Sequence, residues 1–465
     1  MKHRKSRKKP ENILTEKRTI EWLEKHNELK QGKTTKEILL ELENIILSNA
    51  GVDSFKEIFK LIYAKLYDEW RGINNPNYQL QFFAGNRNPA EVKQTIKNLL
   101  SEAKKIWPGV LEPDPADQIE LRDDHLKICV SFLEKIKLFD PNLQIIDETF
   151  EYLVPQLAKQ KEGQFFTPRP VIEMIVKMLN PKATESIIDP ACGSSAFLLH
   201  SIMWINRKRQ NTINFAQTYG IDISEKAVKI AKAINLIAGN RNSHIYKDNA
   251  LTPHTWTAET KAGLGRRLLR FPDDPQKDIE NQEKFIYFDF DVLMANPPFA
   301  GTIKEKQILE LYELAKKDGK FVNQIDRHIL FLERCLQFVK PGGRIAIVLP
   351  QGLLNNTNTE YVRKFIINEA RILAVVGLHI NTFKPHTGTK TSVLFLRKYT
   401  DEEKKEIQQM QNLDYPIFLA VNEKPVKDES GEYRDDHDLD KIAEDFINFA
   451  KKQLAKGDKH FDFWG

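Results

Sequence analysis

Hydrophobic and polar residues alternate with two different rhythms along this chain, and the change falls near residue 157. Before it, "TTKEILLELENIILSNAGV", "SFKEIFKLIYAKLYDEW" and "HLKICVSFLEKIKLF" repeat apolar residues every three or four positions, the spacing of amphipathic helices. The Pro/Asn/Gly-rich segments "NNPNYQLQFFAGNRNP" and "PGVLEPDPAD" break them. Residues 11–156 are therefore expected to form an α-helical N-terminal domain, preceded by a basic tail at 1–10. Beyond "KEGQFF" the pattern shortens to Val- and Ile-rich runs: "SIIDPACG", "TYGIDIS", "FDFDVLMANPPF", "RIAIVLP", "ILAVVGL" and "TSVLFLRKY". Helical stretches such as "EKAVKIAKAINLIAGN" and "HILFLERCLQFVKPGG" separate them. Alternating strands and helices predict an α/β fold over 157–400, a doubly wound, mostly parallel sheet covered on both faces. From Asp401 the chain is charged and weakly patterned apart from "LDKIAEDFINFAKKQL". Residues 401–465 read as a C-terminal extension for subunit contact.

In such sheets ligands bind beyond the carboxyl ends of the strands, so the polar residues there carry the chemistry. One strand ends at Asp189 and runs into Gly193, Ser194, Ser195 and Ala196, small residues that let a ligand approach the start of a helix. An acid before that loop suits an ammonium group and repels pyrophosphate. Asp222, ending "YGIDIS", can accept hydrogen bonds from two ribose hydroxyls, and Asp248 can accept one from an adenine amine. Three aspartates at successive strand ends point to a nucleoside cofactor carrying an amino acid, which S-adenosylmethionine matches.

The fourth strand stops on Asn296, Pro297, Pro298 and Phe299. Two prolines stiffen the turn. The Asn296 side-chain oxygen and the Pro297 carbonyl are then held as a pair of acceptors, one for each N–H of an exocyclic amine. Phe299 can stack on the base once it has left its duplex. Methylation of a cytosine carbon would instead need a thiolate. Cys129, Cys192 and Cys335 read as structural, and their spacing suits neither disulfides nor zinc.

Composition narrows the setting. The chain is 41% hydrophobic and 29% charged, with no apolar run long enough to span a membrane. "MKHRKSRKKP" lacks the apolar core of an export signal, so a soluble, cytoplasmic protein is expected. A net charge of +5 permits a nucleic-acid partner without requiring one. Lys2, Arg4, Lys5, Arg7, Lys8 and Lys9 are candidates for phosphate contact, weighed against a solvated tail.

With these motifs in order, "GQFFTPRPVIEMIV", "DPACGSSAFLL", "GIDIS", "NPPF", "FLERCLQFVKPGGRIAIVLPQGLL" and "TFKPHTGTKTSVLFLRK", the sequence resembles the adenine-N6 DNA methyltransferases. More narrowly, it resembles the modification (M) subunit of type I restriction–modification systems. The resemblance implies the fold of S-adenosylmethionine-dependent methyltransferases and methyl transfer to adenine N6 in double-stranded DNA. It implies a specificity (S) subunit as partner, with a restriction (R) subunit and a second M subunit as further candidates. By residue, it implies that Gln164, Phe165, Phe166, Thr167, Pro168 and Arg169 line the methionine end of the cofactor, with the loop from Gly193 to Ala196 beneath. Asp222 would take the ribose and Asp248 the cofactor adenine, while Asn296 to Phe299 would hold the target base. Many members carry a second glycine in the first loop, where this chain has "GSSA".

Three other features are weighed. "HTGTKTS" ends like a phosphate-binding loop but lacks its Gly-Lys pair and leads into a strand. The insertion "ETKAGLGRRLLRFPDDPQKD" offers Lys261, Arg266, Arg267 and Arg270 to DNA phosphates or to solvent. The segment from Phe299 to Val322 lacks strand character and is a candidate lid over the flipped base. Two rival functions stand beside the main one: methylation of RNA or protein glutamine by an Asn-Pro-Pro-Phe enzyme, and a methyltransferase-fold scaffold without catalysis. No recognition domain follows the strand ending near Arg397, so target recognition is expected from the specificity subunit, with the N-terminal helical domain and the C-terminal helix binding that subunit and clamping DNA.

Overall fold

The computed structural model describes residues 17–27, 35–47, 52–111, 118–138, 167–208, 217–238, 240, 244–317, 319–409 and 414–465. Two compact units emerge, residues 1–152 with 237–239, and residues 153–236 with 240–465.

Capping chemistry sets the helices of the first unit: α1 (Ile20–Lys25), α2 (Thr35–Leu47), α3 (Ser54–Asn74), α4 (Pro89–Ile106) and α5 (Asp123–Leu133). At α4, Asn88 and Glu91 cap each other's backbone N–H groups and Pro89 opens the first turn. Helix α3 departs from simple amphipathicity. Glu57, Lys60, Lys65, Asp68 and Glu69 are all buried, although a polar stripe ordinarily faces water. Each acid is spent on the backbone of a neighbouring segment. Glu57 accepts from Glu120 N and Leu121 N, Asp68 from Gln81 N and Phe82 N, and Glu69 from Leu138 N. Lys60 and Lys65 neutralise Glu57 and Glu69 at 2.6 and 3.0 Å. Such charge-assisted bonds make burial of the acids tolerable.

In the second unit eight strands form one sheet: β1 (Ser186–Asp189), β2 (Gln217–Asp222), β3 (His244–Lys247), β4 (Phe290–Ala295), β5 (Val339–Pro350), β6 (Ala370–Gly377), β7 (Thr391–Lys398) and β8 (Phe418–Val421). Their spatial order is β8-β6-β7-β5-β4-β1-β2-β3. Only β7 runs antiparallel to its neighbours, and every other pairing is parallel. Period-two alternation sends Ile187, Val292, Met294, Ala346 and Val348 into one core and Ile188, Leu293, Ile345, Ile347 and Leu349 into the other. Helices α6 (Arg169–Leu179), α7 (Ala196–Lys208) and α8 (Glu225–Ile237) supply the first core. Helix α9 (Arg327–Phe338) and the flank of α10 (Glu360–Glu369) supply the second.

Two expectations need correcting. Residues 401–465 do not form a separate extension. β8 adds a strand to the sheet, and α11 (Leu439–Ala455) buries Leu439, Ile442, Ala443, Phe446 and Ala450 in the first core. The apolar face of that helix thus packs within the chain. β8 escapes pattern reading because it is a four-residue edge strand whose Leu419 and Val421 stay exposed. The segment from Phe299 to Val322 does contain strand: Thr302–Ile303 pairs with Ile325–Asp326 and Lys316–Lys317 with Lys320–Phe321. It is also fastened down. Tyr312 Oη donates to Leu251 O at 2.9 Å, and Glu333 accepts from Glu313 N and Leu314 N, both at 2.9 Å. Leu309, Tyr312, Leu314 and Ala315 lie in the second core. That anchoring does not suit a freely hinged lid.

Candidate active site

Because β1, β2, β3 and β4 are parallel, Asp189, Asp222, Asp248 and Asn296 emerge at one edge of the sheet. Hydrogen bonds tie these ends together. Gly193 N donates to Asp222 Oδ2 at 2.9 Å, Ser224 N to Asp222 Oδ1 at 2.8 Å, Cys192 N to Ile221 O at 2.9 Å, and Asp248 N to Asp222 O at 3.0 Å. Asp222 therefore stitches the small-residue loop to its own strand end. Gly220 makes room for this closure: a Cβ there would stand 2.8 Å from Cys192 Sγ and from Ile245 Cδ1.

Asp189 is 1% exposed and accepts from Ala191 N at 3.0 Å. Burial pushes its carboxyl well above the usual range, and the nearby Asp222 carboxylate adds to the effect. A buried acid beside a second acid is chemically incomplete, and a cationic ligand group would relieve it. The ammonium end of S-adenosylmethionine fits that requirement. Asp248 has its Oδ2 on Thr257 N and Thr257 Oγ1, at 3.0 and 2.9 Å, so it braces the next segment as well as edging the site. In the loop Ser194 and Ser195 are buried, and Ala196 opens α7.

The Asn-Pro-Pro-Phe turn is held from both sides. Asn296 Nδ2 donates to Thr167 Oγ1 at 3.0 Å, which makes Oδ1 the acceptor end of the amide. Pro297 is buried and Pro298 half-buried. Phe299 meets Phe383 edge-on, ring centres 5.6 Å apart at 85°. His328, 8% exposed, lies against the Phe299 backbone carbonyl, and burial holds its ring below the usual histidine range.

The structure thus brings Thr167 to Asn296 and Gly193 to Asp222. Pro168 caps α6, and Arg169 turns along the helix to pair with Glu173 at 3.0 Å. Gln164, Phe165 and Phe166 lie outside the described residues. His328, Phe383 and Asn235 (below) went unremarked in the sequence. Only the register of "DRHILFLER" could have drawn attention to the histidine. All three cysteines are buried. Burial pushes the Cys129 thiol up to about 12 and raises Cys192 and Cys335 as well, which leaves no activated thiolate among them. No metal-binding cluster of His, Cys, Asp or Glu exists among the described residues. In the insertion, Lys261 donates to His254 O, Arg267 pairs with Asp289 and donates to Ser186 Oγ, and Arg270 pairs with Asp278. Three of its four candidate DNA cations thereby hold the insertion itself.

Comparison with known proteins gives a consistent picture. The N-6 DNA Methylase family model matches residues 142–461. The methylase subunit of the type I restriction enzyme EcoEI of Escherichia coli is 26% identical over 51% of this chain and 42% of its own length. The methylase subunit of the type I restriction enzyme MjaIX of Methanocaldococcus jannaschii is 25% identical over 78% of this chain and 62% of its own. The chain thus spans about half the length of the curated relatives it matches. In fold it is similar to the solved methyltransferase subunit of the type I restriction–modification system of Streptococcus thermophilus, with TM-score 0.59 at 16% identity, covering 90% of this chain and 94% of that one. A sheet in the order 3-2-1-4-5-7-6-8 with one reversed strand, a loop of small residues after β1, an Asn-Pro-Pro-Phe turn after β4 and a family match across most of the chain agree: the protein belongs to the N-6 DNA methylase family.

Proposed function

We propose that this chain is the methyl-transferring subunit of a type I restriction–modification complex, acting on adenine N6 in double-stranded DNA with S-adenosylmethionine as donor. The observation that carries the reading is the Asn296–Thr167 hydrogen bond, which orients the acceptor of the Asn-Pro-Pro-Phe turn from the segment that would line the cofactor.

Bound S-adenosylmethionine supplies an electrophilic methyl group on sulfonium. The chain's own residues do the rest. Asp222 holds the loop and would accept from the ribose hydroxyls, Asp189 would hold the ammonium group, and Asp248 would meet the adenine edge. Asn296 Oδ1 and Pro297 O would each accept a hydrogen bond from one N6–H of the flipped base, and one of those protons leaves to solvent once the N–CH3 bond has replaced the S–CH3 bond. The pull of the two oxygens makes the nitrogen more tetrahedral and returns its lone pair from the ring. Phe299, seated by Phe383, offers a ring face to the base. Since methyl transfer needs nitrogen, carbon and sulfur in line, positioning is the main contribution. Specificity, restriction and second methylase subunits are the proposed partners, in keeping with relatives named as subunits of type I restriction enzymes. The setting is cytoplasmic. No described helix is long and apolar enough to cross a membrane.

The test is transfer of labelled methyl groups to DNA, RNA and protein by the complex recovered from the native cell. Adenine in DNA should take the label, and Asn296→Ala should lower the rate at least about hundredfold. Label on RNA or on a protein glutamine would refute the reading, as would calorimetry showing no binding of S-adenosylmethionine.

A further inference from the structure

Ser195 adopts a backbone conformation that its side chain resists. Its φ is +74°, in the left-handed region, two residues after Gly193 at +51°. A Cβ there crowds the backbone, so glycine is the usual occupant. Two other described non-glycine residues share this region, Asn180 and Phe285, and both end helices, where a left-handed residue is common. Ser195 instead sits inside the loop beneath the cofactor site. This is where the "GSSA" departure falls.

Something in the structure has to hold it there. Ser195 Oγ accepts from Asn235 Nδ2 at 3.0 Å. The same Nδ2 donates to Ala231 O at 2.8 Å, and Asn235 Oδ1 accepts from Asn240 Nδ2 at 3.0 Å. Asn240 Nδ2 reaches Thr218 Oγ1 at 3.4 Å, and Asn240 N donates to Asn235 O at 2.8 Å. Ser195 and Asn235 are 0% exposed, Thr218 2% and Asn240 3%. A buried polar ladder is costly unless its members are bonded, and this one ends on the one strained residue of the loop. The bland alternative is an amide that closes its own helix end. That role is already filled by the Ala231 and Asn240 contacts and gives no reason for the bond to Ser195.

We propose that Asn235 is a positioning residue for the cofactor loop, its amide holding Ser195 in the left-handed conformation that would otherwise call for glycine. The loop's shape is then set by a side-chain lock instead of by backbone freedom. This rests on the methyltransferase reading of the loop, but the lock has a readout that needs no cofactor.

The experiment is a double-substitution cycle in the full chain, with Asn235→Leu made in the Ser195 and in the Ser195→Gly backgrounds. Backbone hydrogen exchange over residues 190–197 is measured without ligand, and S-adenosylmethionine affinity by calorimetry. In the Ser195 background, Asn235→Leu should speed exchange and weaken binding, each about tenfold. In the Ser195→Gly background the same substitution should change each by less than about threefold, because glycine takes the conformation unaided. Equal effects in both backgrounds, or none in either, would overturn the lock. If no variant bound S-adenosylmethionine, the cofactor reading would fail while the exchange cycle still decided the lock.

Discussion

Replacing Thr167 with valine removes one oxygen and keeps the shape of the side chain. That oxygen is the acceptor for Asn296 Nδ2 at 3.0 Å. Valine leaves a donor in a half-buried site without this partner, which costs about 1–2 kcal/mol, the lower part of the range for an unsatisfied buried group. It also lets the amide rotate and offer Nδ2 where an acceptor is needed. A penalty of that size in the transition state lowers the rate about 5- to 30-fold. The assay is single-turnover methyl transfer at saturating S-adenosylmethionine, paired with calorimetric measurement of cofactor affinity. Thr167→Val should lower the turnover rate by that factor with cofactor affinity within about twofold, and Thr167→Ser should restore the rate. The sequence-based expectation is different, because it places Thr167 at the methionine end of the cofactor. If affinity falls by the full factor while turnover at saturation is intact, Thr167 serves the cofactor, and its role as the orienter of Asn296 is refuted.

Further tests address the charges. Asp189→Asn removes a buried acid whose carboxyl is held well above its usual range by burial and by Asp222. Thermal unfolding of the ligand-free protein should shift upward, whereas S-adenosylmethionine should bind at least about tenfold more weakly through loss of a charge-assisted bond. Unchanged affinity would remove Asp189 from the ammonium site. Glu333, which fastens the segment following the Asn-Pro-Pro-Phe turn, is pushed up to about 7 by burial, from 4.5. The unfolded chain gives up this proton near 4.5 and the folded chain near 7, so the native state binds more protons in that window. The contribution of Glu333 to stability is therefore full below 4.5 and falls by about 3 kcal/mol as pH rises to 7. Denaturant unfolding at pH 5 and pH 8 should show that fall in the parent chain and not in Glu333→Gln. Matching slopes in the two proteins would contradict the assignment.

Much of the second unit is legible in the sequence. β1, β2, β4, β5, β6 and β7 coincide with Val- and Ile-rich runs, because a strand buried on both faces must be apolar throughout. The Asn-Pro-Pro-Phe stop is visible because proline restricts its neighbours wherever it stands. Local chemistry of this kind depends on a few adjacent residues and survives in a one-dimensional reading. What lies far apart in the chain does not. Thr167 and Asn296 are 129 positions apart, and nothing in either segment says that the hydroxyl will choose the amide over the cofactor. The left-handed turn at Ser195 depends on Asn235, 40 positions on, and on the burial of a ladder that no periodicity announces. The acids of α3 look like a solvent face until the loops at 81–82, 120–121 and 138 arrive to bond them. Helix α11 shows an apolar stripe that any partner could cover, and folding back onto the sheet is what settled which one did. Periodicity tells which side of an element avoids water. The close packing of distant segments chooses what that side meets, and in this protein that choice sets how the Asn296 amide is aimed.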